Sequence, residues 1–231
     1  MVLLEVIATT LEDARNAEAG GADRIELVAN LEEGGLTPSL KLVQEIASEL
    51  TIPVHVMIRP HSRSFHMSEE DVAQMINDSK RAYQAGASAL VLGALTSEKT
   101  IDRNVLELLL EATPLPVTYH RAFDEIVNQE DAVSTLLDYA QIRSVLTSGG
   151  AARALDAVEQ MKRLVRRTEG HTLQIMAGGG VTLASLKSFV NQTKVPCIHM
   201  GTGVREQLSI DKPVSVEKVM EARRLLANLD V

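Results

Sequence analysis

Residues 53–59 read Pro53-Val54-His55-Val56-Met57-Ile58-Arg59, and residues 116–121 read Pro116-Val117-Thr118-Tyr119-His120-Arg121. Each is a proline, a short β-branched and apolar run, and a basic end that opens into a loop. The runs Val54–Ile58 and Val117–His120 read as buried strands, because so few residues cannot complete a stable helix. Working outward, the same reading applies to Leu3–Ala8, Arg24–Val28, Ala89–Leu92, Ser144–Thr147, Leu173–Met176 and Cys197–Met200. Helical periodicity fills 10–19, 38–50, 68–84, 101–112, 127–140, 151–168, 182–192 and 215–228. Thr37-Pro38 places a proline early in the second helix, and Ser68-Glu69-Glu70-Asp71 has the pattern of a capping box. Eight alternating βα units with no polar edge strand predict an α/β fold, a single (β/α)8 TIM barrel over 1–231. The competing doubly wound sheet needs edges that these runs do not supply.

Composition sets limits on function. The chain has 231 residues, 45% hydrophobic and 23% charged, with a net charge of −8 and only 3% aromatics. No basic run is longer than Arg166-Arg167, which argues against a nucleic-acid surface. The apolar runs are too short to cross a membrane. No basic, apolar leader precedes the first strand, so a cytoplasmic protein is expected. A single cysteine, Cys197, excludes a disulfide framework and fits a reducing compartment. Barrels commonly pair, so a homodimer is the base expectation.

Side chains alternate along a strand, so parity separates the barrel interior from the helix-facing side. Glu5, Glu26, His55, Arg59, Thr118, His120 and His199 fall on the face opposite the apolar set. Buried charges need partners, so these residues form either a satisfied polar network or a site. Barrel chemistry sits at the C-terminal strand ends, which brings Arg59, His120, Arg121 and Asp124 forward as candidates, together with Glu26. His120 is the acid–base candidate, because imidazole titrates near neutrality. Glu26 is a base or an orienting group, and Arg59 and Arg121 would hold an anion. Glu5 lies deeper, and Glu5 and His55 are expected to contact a ligand. His55, His120 and His199 are the nitrogen donors available to a metal. Thr147, Gly149, Gly150, Gly178, Gly179, Gly180, Gly201 and Gly203 form three glycine-bearing loops. With Arg205 they suggest backbone donors for a phosphate or carboxylate. The implied partner is a small anionic ligand or a metal ion. None of the eight lysines ends a strand, which disfavours Schiff-base chemistry. A lyase, isomerase or aldolase on a phosphorylated or carboxylated metabolite suits the remaining groups. Whether the chain is a catalyst stays open at this point.

Several blocks together resemble the CutC family. They are Gly20-Gly21-Ala22-Asp23-Arg24-Ile25-Glu26-Leu27, Glu33-Gly34-Gly35-Leu36-Thr37-Pro38-Ser39, Pro53 to Pro60, Pro116 to Asp124, Leu146 to Gly150, and Met176 to Val181. They run in order through residues 3 to 181 and fade over the last fifty. The resemblance implies a barrel, a cytoplasmic location and a role in copper homeostasis, with copper(I) held by cysteines. Family members often carry those cysteines on strand 1 and after the Ile-Glu-Leu of strand 2, where this chain has Ile7 and Val28. Copper(I) prefers thiolate and thioether donors, whereas the His and Glu set suits zinc or manganese at least as well.

Overall fold

A computed structural model describes residues 1–227 and 229. Eight strands alternate with eight helices: β1 (Leu3–Ala8), α1 (Leu11–Ala19), β2 (Arg24–Leu27), α2 (Leu40–Glu49), β3 (Val54–Met57), α3 (Glu69–Gln84), β4 (Ala89–Leu92) and α4 (Arg103–Glu111), then β5 (Val117–Tyr119), α5 (Gln129–Leu137), β6 (Ile142–Thr147), α6 (Val158–Thr168), β7 (Gln174–Ala177), α7 (Leu183–Thr193), β8 (Cys197–Met200) and α8 (Val216–Ala227). Every strand pairs in parallel with its sequence neighbours, and β8 returns to β1 through Leu3–Cys197 and Glu5–His199. The sheet is therefore a closed barrel with no free edge, as the strand pattern predicts. The expected end of the last helix, residue 228, lies outside the described residues.

The helix starts follow local chemistry. Ser68 caps α3 by accepting from Asp71 N–H, and Asp71 accepts in turn from Ser68 N–H at 3.0 Å, so the predicted capping box forms. Pro38 is not inside α2. The cap is Ser39, whose hydroxyl accepts from Leu42 N–H, and the proline precedes it. The segment 151–157, read as helical, is loop and a 3₁₀ turn at Ala154–Asp156 instead. Gly179 C=O accepts from Ala154 N–H at 2.8 Å there, so a tertiary contact overrides the alanine-rich local preference.

Parity sorts the core. The large apolar cluster between strands and helices takes Leu4, Val6, Ile25, Leu27, Val54, Val56 and Tyr119. Two small clusters of the opposite parity lie within the barrel: Ile7, Val28, Met57 and Val91, and Leu146, Met176 and Cys197. Between them the interior is polar. The β5–β6 register slips between Val117 and Thr118. Such irregularities re-aim the residues that follow, and His120 is two positions on.

Candidate functional site

The polar interior is built on Glu5. Its side chain is fully buried in β1, one strand from Arg24 and one from His199. Arg24 Nε donates to Glu5 Oε2 at 2.6 Å, and His199 Nδ1 donates to Glu5 Oε1 at 2.7 Å. His55 Nδ1 stands 3.6 Å from the same carboxylate. Burial pushes the Glu5 carboxyl up, but the Arg24 guanidinium and the His199 hydrogen bond overcome it and hold the group well below the usual carboxylate range. Glu5 is thus a fixed anion. By accepting from His199 Nδ1–H it orients the ring and turns Nε2 toward Glu26, 3.6 Å away.

Glu26 is the titratable member. Burial pushes its carboxyl up to about 7; nearby Glu5 adds to this and His199 opposes it. For His199, burial lowers the basicity, but Glu26 and Glu5 more than reverse that and raise it above the ordinary value. Each group thus shifts the other's protonation.

Across the barrel mouth, His120 follows β5. It fits there because Gly93, the residue after β4, has no side chain: a Cβ at Gly93 would stand 2.7 Å from His120 Nδ1. Gly178 does the same for His199, whose Cδ2 would be 3.0 Å from an added Cβ. His120 Nδ1 accepts from Ala122 N–H, so the neutral ring carries its proton on Nε2. Burial, with Arg59 adding to it, lowers this imidazole to about 3. The expectation of an acid–base role near neutrality therefore changes: His120 is a neutral hydrogen-bond donor, and Glu26 is the group that titrates near neutral pH.

A cavity of about 240 Å³ opens at the C-terminal ends of the strands. Glu26, Arg59, His120, Arg121 and His199 line it, beside Gly179, Gly180 and Gly201. Arg121 is held by Asp124 at 2.7 Å and by Ser148 at 2.9 Å. Asp124 also accepts from Ser148 N–H at 2.9 Å, Gly150 N–H and the Thr147 hydroxyl. It is a positioning residue that ties the loop after β5 to the loop after β6.

Other expected site residues lie elsewhere. Glu5 and His55 are beneath the cavity. Gly149 and Gly150 line a separate surface groove, and their N–H groups are taken by Thr147 and Asp124. Gly178 makes room for His199, and Gly203 packs where a Cβ would stand 2.3 Å from Val181 C=O. Arg205 offers no charge to a ligand: it is 1% exposed and forms an ion pair with Asp13 at 2.8 Å. The three histidines do not converge on one point. Among the described residues, the donors close enough to share an ion are Glu5, Glu26 and His199, within 4.8 Å of one another. Two contributors were not singled out from sequence: Arg24, and Phe65, whose ring lies 4.6 Å beneath the Arg59 guanidinium. Arg24 carries the same parity signal as Glu26.

The donors do not make a copper(I) cage. The sulfurs of Met176 and Cys197 are close together, but the Arg24 guanidinium lies against both, with Nη2 at 3.2 Å and 3.6 Å. Burial pushes the Cys197 thiol up to about 12, so it stays protonated, where a soft metal needs thiolate. Ile7 and Val28 occupy one apolar cluster with Met57, whose thioether is the only sulfur in it.

His120 also makes a pH prediction. Its folded value lies below its unfolded one, so its contribution is complete above about pH 6.5 and is lost as the pH falls toward the folded value. Chemical denaturation at pH 7 and pH 4.5 should therefore show stability dropping on acidification. The drop should be smaller in His120→Gln, and equal drops would refute the assignment.

The sequence profile of the CutC family matches residues 2–204. A human protein named copper homeostasis protein cutC homolog is 43% identical over 198 residues, covering 85% of this chain and 72% of the human protein. A CutC family protein of Glaesserella parasuis is 39% identical over 90% of this chain and 85% of its own length. The crystal structure of CutC from Streptococcus agalactiae superposes with a TM-score of 0.82 at 33% identity, covering 87% of this chain and 98% of that one. No helix among the described residues is long and apolar enough to cross a membrane.

Proposed function

The chain belongs to the CutC family, and from that we propose that it acts in copper homeostasis in the cytoplasm, taking the metal through nitrogen and oxygen donors instead of sulfur. The observation that supports this reading is the convergence of Glu5, Glu26 and His199 within 4.8 Å, set against an Arg24 cation lodged by the Met176 and Cys197 sulfurs. Imidazole and carboxylate are donors for copper(II), zinc or manganese, and among divalent ions copper(II) binds such sets most tightly. The Arg24 guanidinium also binds Glu5 at 2.6 Å, so what sets copper(I) apart is that it would have to deprotonate a buried thiol.

The test is a metal analysis of tag-free protein followed by titration with copper(II), zinc and manganese. An anaerobic copper(I) titration against a competing chelator runs in parallel. The expected result is one copper(II) per chain, lost in His199→Ala, with copper(I) weak or absent. Tight stoichiometric copper(I) would overturn the donor assignment. Failure of copper in either valence would overturn direct copper binding by this chain.

A further inference from the structure

Three arginines of this barrel have strongly buried side chains or stand largely covered in its interior. Arg24 meets Glu5 at 2.6 Å, and Arg205 meets Asp13 at 2.8 Å. Arg59 is 7% exposed, yet among the described residues no carboxylate lies within ion-pair distance of it. Glu33 and Glu125 attract it only from beyond contact; a buried cation with no carboxylate touching it is costly, and this one is held firmly in place. Thr37 N–H donates to Arg59 C=O, and Arg59 N–H donates to the Thr37 hydroxyl at 2.9 Å. The guanidinium rests on Phe65 and makes only long contacts, 3.4 Å each, to the Glu33 and Gly35 carbonyls. Its Nε has no partner.

Two more buried atoms on the same cavity wall are unpartnered: His120 Nε2, which carries a proton, and Glu26 Oε1, which accepts one. Buried polar atoms in folded proteins are nearly always paired. Three of them around one cavity, beside the Arg121 cation, define the chemistry of a molecule that would fit there. It carries an anionic group for the arginines. It also carries an oxygen able to accept from His120 and, if a hydroxyl, to donate to Glu26. The cavity, about 240 Å³, falls below the roughly 300–1,000 Å³ of drug-sized pockets, so the molecule is small.

We propose that the mouth cavity is a binding site for a small hydroxy- or oxo-anion, a carboxylate or phosphate, gripped by Arg59 and Arg121 with its oxygen at His120 Nε2 and Glu26 Oε1. The anion is held by the loops after β3 and β5, not by the glycine loop after β6, whose N–H groups are already used. The site does not depend on copper, and its test excludes metal.

Thermal unfolding and calorimetric titration are run in EDTA at fixed ionic strength, with glycolate and glycerol 3-phosphate as probes. At least one probe binds saturably and raises the Tm of the wild type, since a ligand of the folded state stabilises by mass action. Which one binds identifies the carboxylate or the phosphate. In Arg59→Met, binding weakens about tenfold or more, while the Tm without ligand is unchanged or higher, because an unpaired buried charge has been removed. A merely structural arginine would give the opposite pattern, with lower stability and unaltered binding. Should Arg59→Met fail to fold, Arg121→Gln at the exposed side of the cavity provides the same binding comparison. The proposal is overturned if neither probe binds the wild type, or if a folded variant that lacks either arginine binds the probe as the wild type does.

Discussion

Arg24→Met is expected to lower the stability of the barrel by about 3–5 kcal/mol, the usual cost of leaving one member of a buried ion pair without the other. Glu5 is fully buried, and Arg24 is its nearest cation, 2.6 Å away with little of its own side chain exposed. The variant removes the charge but keeps the bulk against Met176 and Cys197, so packing contributes little to the loss. Two observations separate this account from a packing defect. First, the double variant with Glu5→Gln should recover much of the loss, because the stranded carboxylate is gone; a cycle of the two single variants and the double measures the coupling directly. Second, the loss should shrink in acid. Without its cation, Glu5 takes up a proton more readily in the folded chain than in the unfolded one. Its contribution then favours folding below the unfolded value of about 4.3 and turns against it as the pH rises. Urea denaturation of the four proteins at pH 7 and pH 4.5 checks both. A pH-independent loss that the second substitution does not repair would refute the ion-pair account.

Asp13→Ala should have an effect of similar size where β1 passes into α1. Asp13 and Arg205 are each 1% exposed. The carboxylate accepts from Arg205, from Thr9 N–H at 3.0 Å and its hydroxyl at 2.8 Å, and from Val214 N–H at 2.9 Å. It therefore joins the end of β1, the start of α1 and the segment that leads into α8. Truncation strands a buried guanidinium and removes the acceptor for two backbone donors, at a cost of about 3–5 kcal/mol. For a chain of this size that corresponds to a fall in Tm of roughly 10 °C. Burial pushes Asp13 up, but the hydrogen bonds from Val214 and Thr9 and the Arg205 charge hold it below the usual carboxylate value. Its contribution is therefore complete above about pH 3.9 and disappears as the pH falls through the lower folded value. Asp13→Asn keeps an acceptor oxygen and should lose less. A change in Tm of under about 2 °C for Asp13→Ala would show that the pair is dispensable.

Alternation along the strands was enough to recover the barrel and most of the polar interior. Glu5, Glu26, His55 and His199 fall inward because each is flanked by apolar residues that must face the helices. The same rule covers Arg24, two residues before Glu26, though its place at the start of β2 makes it look like a solvent-facing end. Loops carry no such period. Arg205 and the Gly149-Gly150 pair read as anion-binding elements in sequence because nothing there shows which donors are already engaged. Asp13, 192 residues away, takes Arg205, and Asp124 takes the loop after β6. The role of His120 was beyond reach for a related reason. Its protonation depends on a backbone N–H two residues on and on the burial that Gly93 permits, and neither has a sequence signature. What sequence does convey there is residue type, and that was sufficient to locate the cavity wall.

The lone cysteine has a practical consequence. Cys197 is wholly enclosed in β8, and its thiol is kept protonated. Alkylating and oxidising reagents act on thiolate, so in the intact barrel it is shielded twice, by access and by charge. The strand that carries it closes the ring against β1, so exposing the sulfur requires the ring to open. The chain thus holds a single chemical clock for its own unfolding: the rate at which Cys197 becomes labelled reports how often the closed sheet comes apart, without any introduced probe.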